Sequence, residues 1–120
     1  ILTNRDVRFA AERVGADRGS FATALRAEGI PVSVGYVEPL YRQPMYQRGI
    51  AFGRSGFPFR QPGRAPATYP DGLCPVAERM HERELLYFAT IHGQLGPEDL
   101  GDIADGVEKV ALQIGRPVAV

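Results

Sequence analysis

The fold of this chain depends on one stretch, Asp17-Arg-Gly-Ser-Phe-Ala-Thr-Ala-Leu-Arg-Ala-Glu-Gly-Ile-Pro-Val-Ser-Val34, which encodes a helix and the strand after it. Asp17 is suited to cap the helix, because its carboxylate can accept a backbone N–H that the first turn leaves without a partner. Phe21 and Leu25 share one face of this helix. Gly29 is suited to end it, since glycine readily adopts positive φ, and the alternation after Pro31 predicts a strand.

Further elements flank this pair on both sides. Residues 7–13 alternate between two sides and predict a first strand, and residues 37–46 predict a turn followed by a short helical turn. Pro75 suits the start of a helix that continues to about residue 83. Residues 85–91 are apolar on both faces, which is typical of a strand covered on both sides. The last helix starts at Gly96-Pro97-Glu98-Asp99 and is ended by Gly115-Arg116-Pro117, and its spacing predicts a buried stripe of Leu100, Ile103, Val107, Val110 and Ile114.

The element order is β-α-β, loop, α-β-α. It predicts an α+β (α/β two-layer) fold, in which a small and mostly antiparallel sheet carries helices on one face. The loop, residues 47–72, contains five Gly, four Pro and four Arg together with four aromatic residues. Because a free linker rarely carries so much aromatic surface, we expect this loop to lie against another surface, with a second domain or subunit as one option.

Composition excludes several classes of protein. The chain has 120 residues, which suits one domain, and its 14 Lys and Arg balance its 14 Asp and Glu. Nucleic-acid binding depends on clustered excess positive charge, so no nucleic-acid partner is expected. One Cys excludes an internal disulfide, residues 1–6 lack the basic and apolar regions typical of a signal peptide, and the sequence contains no run of about 20 apolar residues. The sequence therefore predicts a cytoplasmic protein that does not span a membrane.

Few residues are suited to catalysis. His81 and His92 are too few for a zinc site, and the glycines lack the spacing of a phosphate-binding loop. Cys74 precedes a helix start, where a thiol can be activated, although a small residue packed beside a cap explains it as well. Lys109, the single lysine, is predicted to lie on the solvent side of the last helix. No catalytic residue is predicted within the chain.

The densest polar and aromatic group follows the second predicted strand. It consists of Tyr36, Glu38, Tyr41, Arg42 and Tyr46. Tyrosine supplies flat apolar area with a hydroxyl at its tip, and Arg supplies a fork that binds carboxylate or phosphate, so the group suits a polyhydroxylated or phosphorylated ligand. The alternative is a turn in which the tyrosines cover the core and Arg42 is solvated.

Four segments resemble, in order and spacing, the DegT/StrS family of sugar aminotransferases. Residues 17–30 are similar to the family's "DRDALIEALRAEGI", residues 35–46 to its "HYPVPLHLQPAY", residues 74–78 to its "CPVAE", and residues 95–100 to its "LTEED" segment. The resemblance covers almost the whole chain. Gly35 stands where the family's segment has its first His.

The resemblance implies that residues 1–120 are the small C-terminal domain of a fold-type I enzyme. Such an enzyme moves an amino group from glutamate or glutamine to a keto-sugar or keto-cyclitol. Pyridoxal phosphate would be bound mainly by an N-terminal domain that is not part of this chain, and the parent would be a homodimer. The chain alone would be inactive.

Within this lobe, the resemblance and the polar group together single out Tyr36, Tyr41, Arg42 and His92 as substrate-binding residues. Three other interpretations remain open. The chain could be a non-enzymatic module that binds a small-molecule effector, or an interaction domain that uses its aromatic loop. It could also belong to a relative that has lost the catalytic lysine.

Overall fold

The computed structural model describes residues 6–35, 38–89, 91 and 93–115. The chain divides into two compact units. The sheet unit comprises Ile1–Tyr36 and Met80–Val120, and the loop unit comprises Val37–Arg79.

The sheet contains three short strands, β1 (Asp6–Arg8), β2 (Ser33–Val34) and β3 (Leu85–Tyr87). Their order is β1-β3-β2, and β3 pairs antiparallel with both neighbours. Leu86 lies opposite Val7 on one side and Val34 on the other, so these three side chains share one face of the sheet. The prediction of a mixed α and β fold with a small antiparallel sheet is confirmed.

The first strand is shorter than its alternation predicts. It ends at Arg8, and the residues after it form a helical turn, α1 (Ala11–Val14), so the predicted strand over 7–13 is wrong beyond Arg8. The last ladder bond joins the Phe9 N–H to the Glu84 carbonyl. The partner segment, Met80–Glu84, is a π-helical turn, so it offers no further extended edge for pairing.

Helix α2 (Arg18–Ala27) begins and ends as its sequence predicts. The Ser20 N–H donates to Asp17 Oδ1 at 3.0 Å, and hydrogen bonds from Ser20, its hydroxyl first, lower the pKa of the Asp17 carboxyl. At the other end Gly29 has φ 84°, and the Ile30 N–H donates to the Leu25 carbonyl at 3.0 Å. These bonds satisfy backbone groups that a helix end otherwise leaves unpaired.

The loop unit has little regular structure. It contains a 3₁₀ turn, Leu40–Arg42, and two short helices, α3 (Pro44–Gln47) and α4 (Pro75–Arg79). Between α3 and α4 the backbone is irregular apart from a bridge between Phe52 and Phe57. The turn and short helical turn predicted over residues 37–46 are confirmed for residues 38–46, which the structure describes. The irregular loop is confirmed as well. The predicted helix over 75–83 continues past Arg79 only as the π-helical turn.

Helix α5 (Pro97–Ile114) packs with α2 against the face of the sheet that carries Leu86. The core contains Phe9, Phe21, Ala22, Leu25, Ile30, Val32, Leu86, Phe88 and Val110. Three members of the predicted stripe of α5 are half-buried beside Val110, but Leu100 is 41% exposed. Its inclusion was wrong, because Ile103 is the first residue of α5 that reaches this core.

The strand β3 also differs from its prediction. Only Leu86 of its three residues is buried, whereas Leu85 and Tyr87 on the opposite face are half-buried. The described residues therefore bury one face of this strand more fully than the other. Among the same residues, no helix has the length and apolar character needed to cross a membrane.

Candidate functional site

Tyr41 links the 3₁₀ turn of the loop unit to the start of α4. Its side chain is 7% exposed, and its hydroxyl donates a hydrogen bond to Glu78 Oε1. The same carboxylate oxygen accepts the Cys74 N–H at 3.1 Å. One oxygen of Glu78 therefore accepts two hydrogen bonds, one from the Tyr41 hydroxyl and one from the backbone N–H of the residue that precedes α4.

The hydrogen bond between the two side chains shifts their pKa values in opposite directions. Burial, and then the bond to Glu78, raise the pKa of the Tyr41 hydroxyl. The bond from Tyr41, supported by the Cys74 N–H and by Arg42, lowers the pKa of the Glu78 carboxyl. At neutral pH the pair therefore consists of a neutral phenol and a charged carboxylate.

Arg42 lies beside this pair and forms ion pairs with two acidic side chains, Asp71 and Glu78. Its Nε is 2.9 Å from Asp71 Oδ1, and its Nη2 is 3.8 Å from Glu78 Oε2. The guanidinium carbon lies 5.9 Å from the centre of the Tyr41 ring, within the range of a cation–π contact. Arg42 keeps only 21% of its side chain exposed, whereas Asp71 keeps 85%.

A polar cavity of about 520 Å³ opens beside Arg42. The Gln47 amide fixes its wall, because Nε2 donates to the Tyr41 and Tyr69 carbonyls, each at 2.8 Å. Two carboxylates, one guanidinium and one amide give this polar cavity both acceptors and donors. Its lining consists of Glu38, Arg42, Gln47, Tyr69, Pro70 and Asp71.

The structure separates the group that the sequence places together. Glu38 and Arg42 line the polar cavity, and Tyr41 is buried beside Arg42. Tyr46 lines a separate, apolar concavity of the loop unit. Tyr36 and His92 lie outside the described residues.

Four residues of the site were missed by sequence reasoning: Gln47, Tyr69, Asp71 and Glu78. Gln47 ends the short helix α3, and Tyr69 and Asp71 belong to the irregular loop, whose path has no periodic pattern. Glu78 does stand in the Cys-Pro-Val-Ala-Glu segment, and that position was its only signal.

A second, apolar concavity lies within the loop unit. This aromatic groove has a volume of about 580 Å³, and its large lining residues are Met45, Tyr46, Ile50, Phe52, Phe59 and Tyr69. The rings of Tyr46, Phe59 and Tyr69 meet edge to face, with centroids 5.4 to 6.4 Å apart. Such pairs stabilise a cluster beyond the apolar area that they bury.

In the sheet unit, Arg18 holds the π-helical turn in place. Its guanidinium donates to the carbonyls of His81 at 2.8 Å, Glu82 at 2.7 Å and Leu85 at 3.2 Å. The His81 and Glu82 carbonyls belong to the π-helical turn, whereas the Leu85 carbonyl belongs to β3 and also accepts the Gly35 N–H at 3.2 Å. His81 Nδ1 lies buried in the same turn and has no hydrogen-bond partner among the described residues.

Gly35 passes close to this turn. It has φ 56°, and a Cβ at this position would lie 2.8 Å from the His81 carbonyl oxygen. A side chain here would therefore meet both an unfavourable backbone conformation and a backbone atom. This contact gives a physical reason for glycine where the resembling family segment has His.

Two residues of the chain have intrinsically nucleophilic side chains, Lys109 and Cys74. Lys109 Nζ pairs with Glu28 Oε2 at 2.7 Å and is 52% exposed, so it lacks the desolvated surroundings that activate a nucleophilic lysine. Cys74 is an exposed free thiol. Within the described residues, no group of three or more His, Cys, Asp or Glu side chains is arranged to hold a metal ion.

No protein-family model, curated protein or solved structure matches the chain. Any functional assignment must therefore be argued from the chemistry of these residues.

Proposed function

We propose that this chain is the C-terminal lobe that closes the substrate cleft of a pyridoxal-phosphate-dependent aminotransferase. The parent enzyme moves an amino group from glutamate or glutamine to a keto-sugar or keto-cyclitol. One observation carries the proposal. Two of the segments that resemble the DegT/StrS family, residues 35–46 and 74–78, meet where Tyr41 and Arg42 contact Glu78 beside the polar cavity.

The charges of the polar cavity favour an uncharged polyhydroxylated ligand. Glu38 and Asp71 carry two negative charges, against the single positive charge of Arg42. Carboxylates accept hydrogen bonds from sugar hydroxyls, and the guanidinium donates to hydroxyl or keto oxygens. A diphosphate would meet both carboxylates at close range, which is unfavourable. We therefore favour a keto-cyclitol or free keto-sugar over a nucleotide-linked sugar.

The residues described here do not fit a pyridoxal phosphate site. The cofactor, when bound, supplies the electron sink for amino transfer. The only lysine of the chain is exposed and paired with Glu28, so it is not prepared to hold the cofactor. We assign cofactor binding to the N-terminal domain of the parent enzyme, which acts as a homodimer. The role of this chain in the enzyme is to bind and orient the sugar.

Binding of a keto-inositol to the full chain tests the site. We expect NMR titration to shift the Gln47 side-chain amide and the backbone amides near Asp71, and to show much weaker binding of a nucleotide-linked keto-sugar. Arg42→Met should reduce the keto-inositol shifts, whereas Arg13→Met, on an exposed face of α1, should leave them unchanged. Equal or tighter binding of the nucleotide-linked sugar would contradict the assignment of the ligand.

The coding sequence that precedes Ile1 tests whether the chain belongs to a larger aminotransferase. We expect it to encode an α/β domain with a Ser-x-x-Lys segment, and we expect the chain alone to form no aldimine absorbance with pyridoxal phosphate. An open reading frame limited to this chain would favour a ligand-binding regulator instead. A stoichiometric aldimine that is lost on Lys109→Ala would overturn the proposal.

A further inference from the structure

The aromatic groove exposes an unusual amount of apolar surface. Phe52 is 81% exposed, Phe57 56%, Ile50 55% and Met45 46%. Three of these residues line the aromatic groove, and Phe57 is bridged to one of them, Phe52. A contiguous apolar patch rimmed by polar residues is typical of a surface that binds another molecule.

The segment around the groove has a strong excess of positive charge. Residues 39–70 contain five of the 14 Lys and Arg of the chain and no Asp or Glu, which leaves nine basic residues against 14 acidic ones elsewhere. Arg60 directly follows Phe59, and Arg54 is two residues from Phe52. Four of the five are exposed and form no ion pair within residues 38–89: Arg48, Arg54, Arg60 and Arg64.

We propose that the aromatic groove is a docking site for a short acidic segment of another protein, which inserts one aromatic side chain between Phe52 and Phe59. The apolar wall would bury the inserted ring, and the arginine side chains would pair with the flanking carboxylates. Arg is enriched in protein interfaces because it combines apolar contact with forked hydrogen bonding. This site is separate from the polar cavity and does not depend on the sugar chemistry proposed above.

The geometry favours an acidic peptide over single-stranded nucleic acid. Nucleic acid binds to aromatic faces that are free for stacking bases. Here the rings of Tyr46, Phe59 and Tyr69 pack edge to face against one another, which leaves Phe52 and Phe57 as the exposed rings at the groove. The wall of the groove is also mainly apolar, with aliphatic residues and one proline, Pro58, beside the rings. Such a wall accepts a side chain rather than a charged backbone.

The test uses the full chain and a fluorescent peptide of Asp and Glu residues around a central Phe. We expect saturable binding by fluorescence anisotropy that weakens at least about tenfold between low and high salt, as screening of paired charges requires. A peptide with Ser in place of the Phe should bind at least about tenfold more weakly, since it lacks the anchor. A peptide with Lys in place of the acids should not bind.

Variants of the chain locate the site. Arg54→Glu combined with Arg60→Glu, and separately Phe52→Ala, should each reduce affinity at least about tenfold. Matched controls on the sheet unit, Arg13→Glu combined with Arg83→Glu, and Leu112→Ala, should leave it unchanged. All of these positions are exposed, so circular dichroism should report unchanged folding.

Four results would overturn the proposal. They are equal binding of the Lys peptide, equal binding of the Ser peptide, tighter binding of an oligothymidine of similar charge, and an affinity that the groove variants leave unchanged. Self-association of the chain that is lost in the same groove variants would also overturn it, by assigning the groove to a second copy.

Discussion

The hydroxyl of Tyr41 donates to the carboxylate of Glu78, which lies 37 residues later in the chain. This bond joins the 3₁₀ turn that carries Arg42 to the first turn of α4. Because the polar cavity is built beside Arg42, its shape depends on a contact between two segments that the sequence separates by the irregular loop.

Tyr41→Phe tests that dependence. The substitution keeps the buried ring and removes the donor, so Glu78 loses one of its hydrogen bonds. We expect faster amide hydrogen exchange over residues 74–78 and weaker keto-inositol binding. The matched control is Tyr46→Phe, which removes a hydroxyl with no hydrogen-bond partner among the described residues and should leave both measurements unchanged. Unchanged exchange in Tyr41→Phe would show that the bond is not needed to hold α4.

Glu78 should make the stability of the chain depend on acid pH. Its folded pKa is lowered, so its contribution is present above the ordinary Glu pKa of about 4.3 and is lost as the pH falls through the folded value. Urea unfolding should be measured at several pH values. Between about pH 5 and pH 3, the free energy of unfolding should fall less for Glu78→Gln than for the unmodified chain.

Asp17 has a lowered pKa as well, so Glu78→Gln should remove only part of the acid dependence. The control for that experiment is Glu108→Gln, at an exposed position of α5. Identical pH profiles for Glu78→Gln and the unmodified chain would rule out this role for the carboxylate.

Gly35→Ala should destabilise the sheet unit by about 3 kcal/mol, since a positive φ costs about 1–2 kcal/mol and the contact with a backbone oxygen adds a similar amount. Gly63→Ala is the matched control, because Gly63 also has positive φ, 74°, but a Cβ at this position would meet no atom within 4 Å. We expect Gly63→Ala to lower the free energy of unfolding by about 1 kcal/mol. Equal free energies of unfolding for the two variants would contradict the close approach to His81.

Arg18→Met should cost about 2 kcal/mol, in keeping with hydrogen bonds from a charged group to several carbonyls. Arg18→Lys should recover only part of this, because an ammonium lacks the planar fork that reaches separate carbonyls. Arg13→Met, at an exposed position, should stay within about 0.5 kcal/mol of the unmodified chain. If Arg18→Lys were fully stable in urea unfolding, charge alone would explain the role of Arg18.

The elements that sequence reasoning located are those with local causes. The cap at Asp17, the positive φ of Gly29 and the acidic start of α5 each depend on residues within a few positions of one another. The end of β1 was missed, since it is set by the π-helical turn of a segment more than seventy residues away (Phe9 pairs with Glu84). Leu100 was misplaced because periodicity defines a helix face but not how far along that face the core extends.

By itself, the sequence determined the order of the three strands and of the helices other than α1, the caps of α2, and the position of Tyr41 and Arg42 in a polar segment, because short-range sterics and hydrogen bonding decide these features. Only the tertiary structure decided that Arg42 meets Asp71 and Glu78, and that Arg18 closes the π-helical turn. The physical reason is that such partners are chosen by the path of the chain through space, and irregular backbone leaves no periodic trace of that path in the sequence.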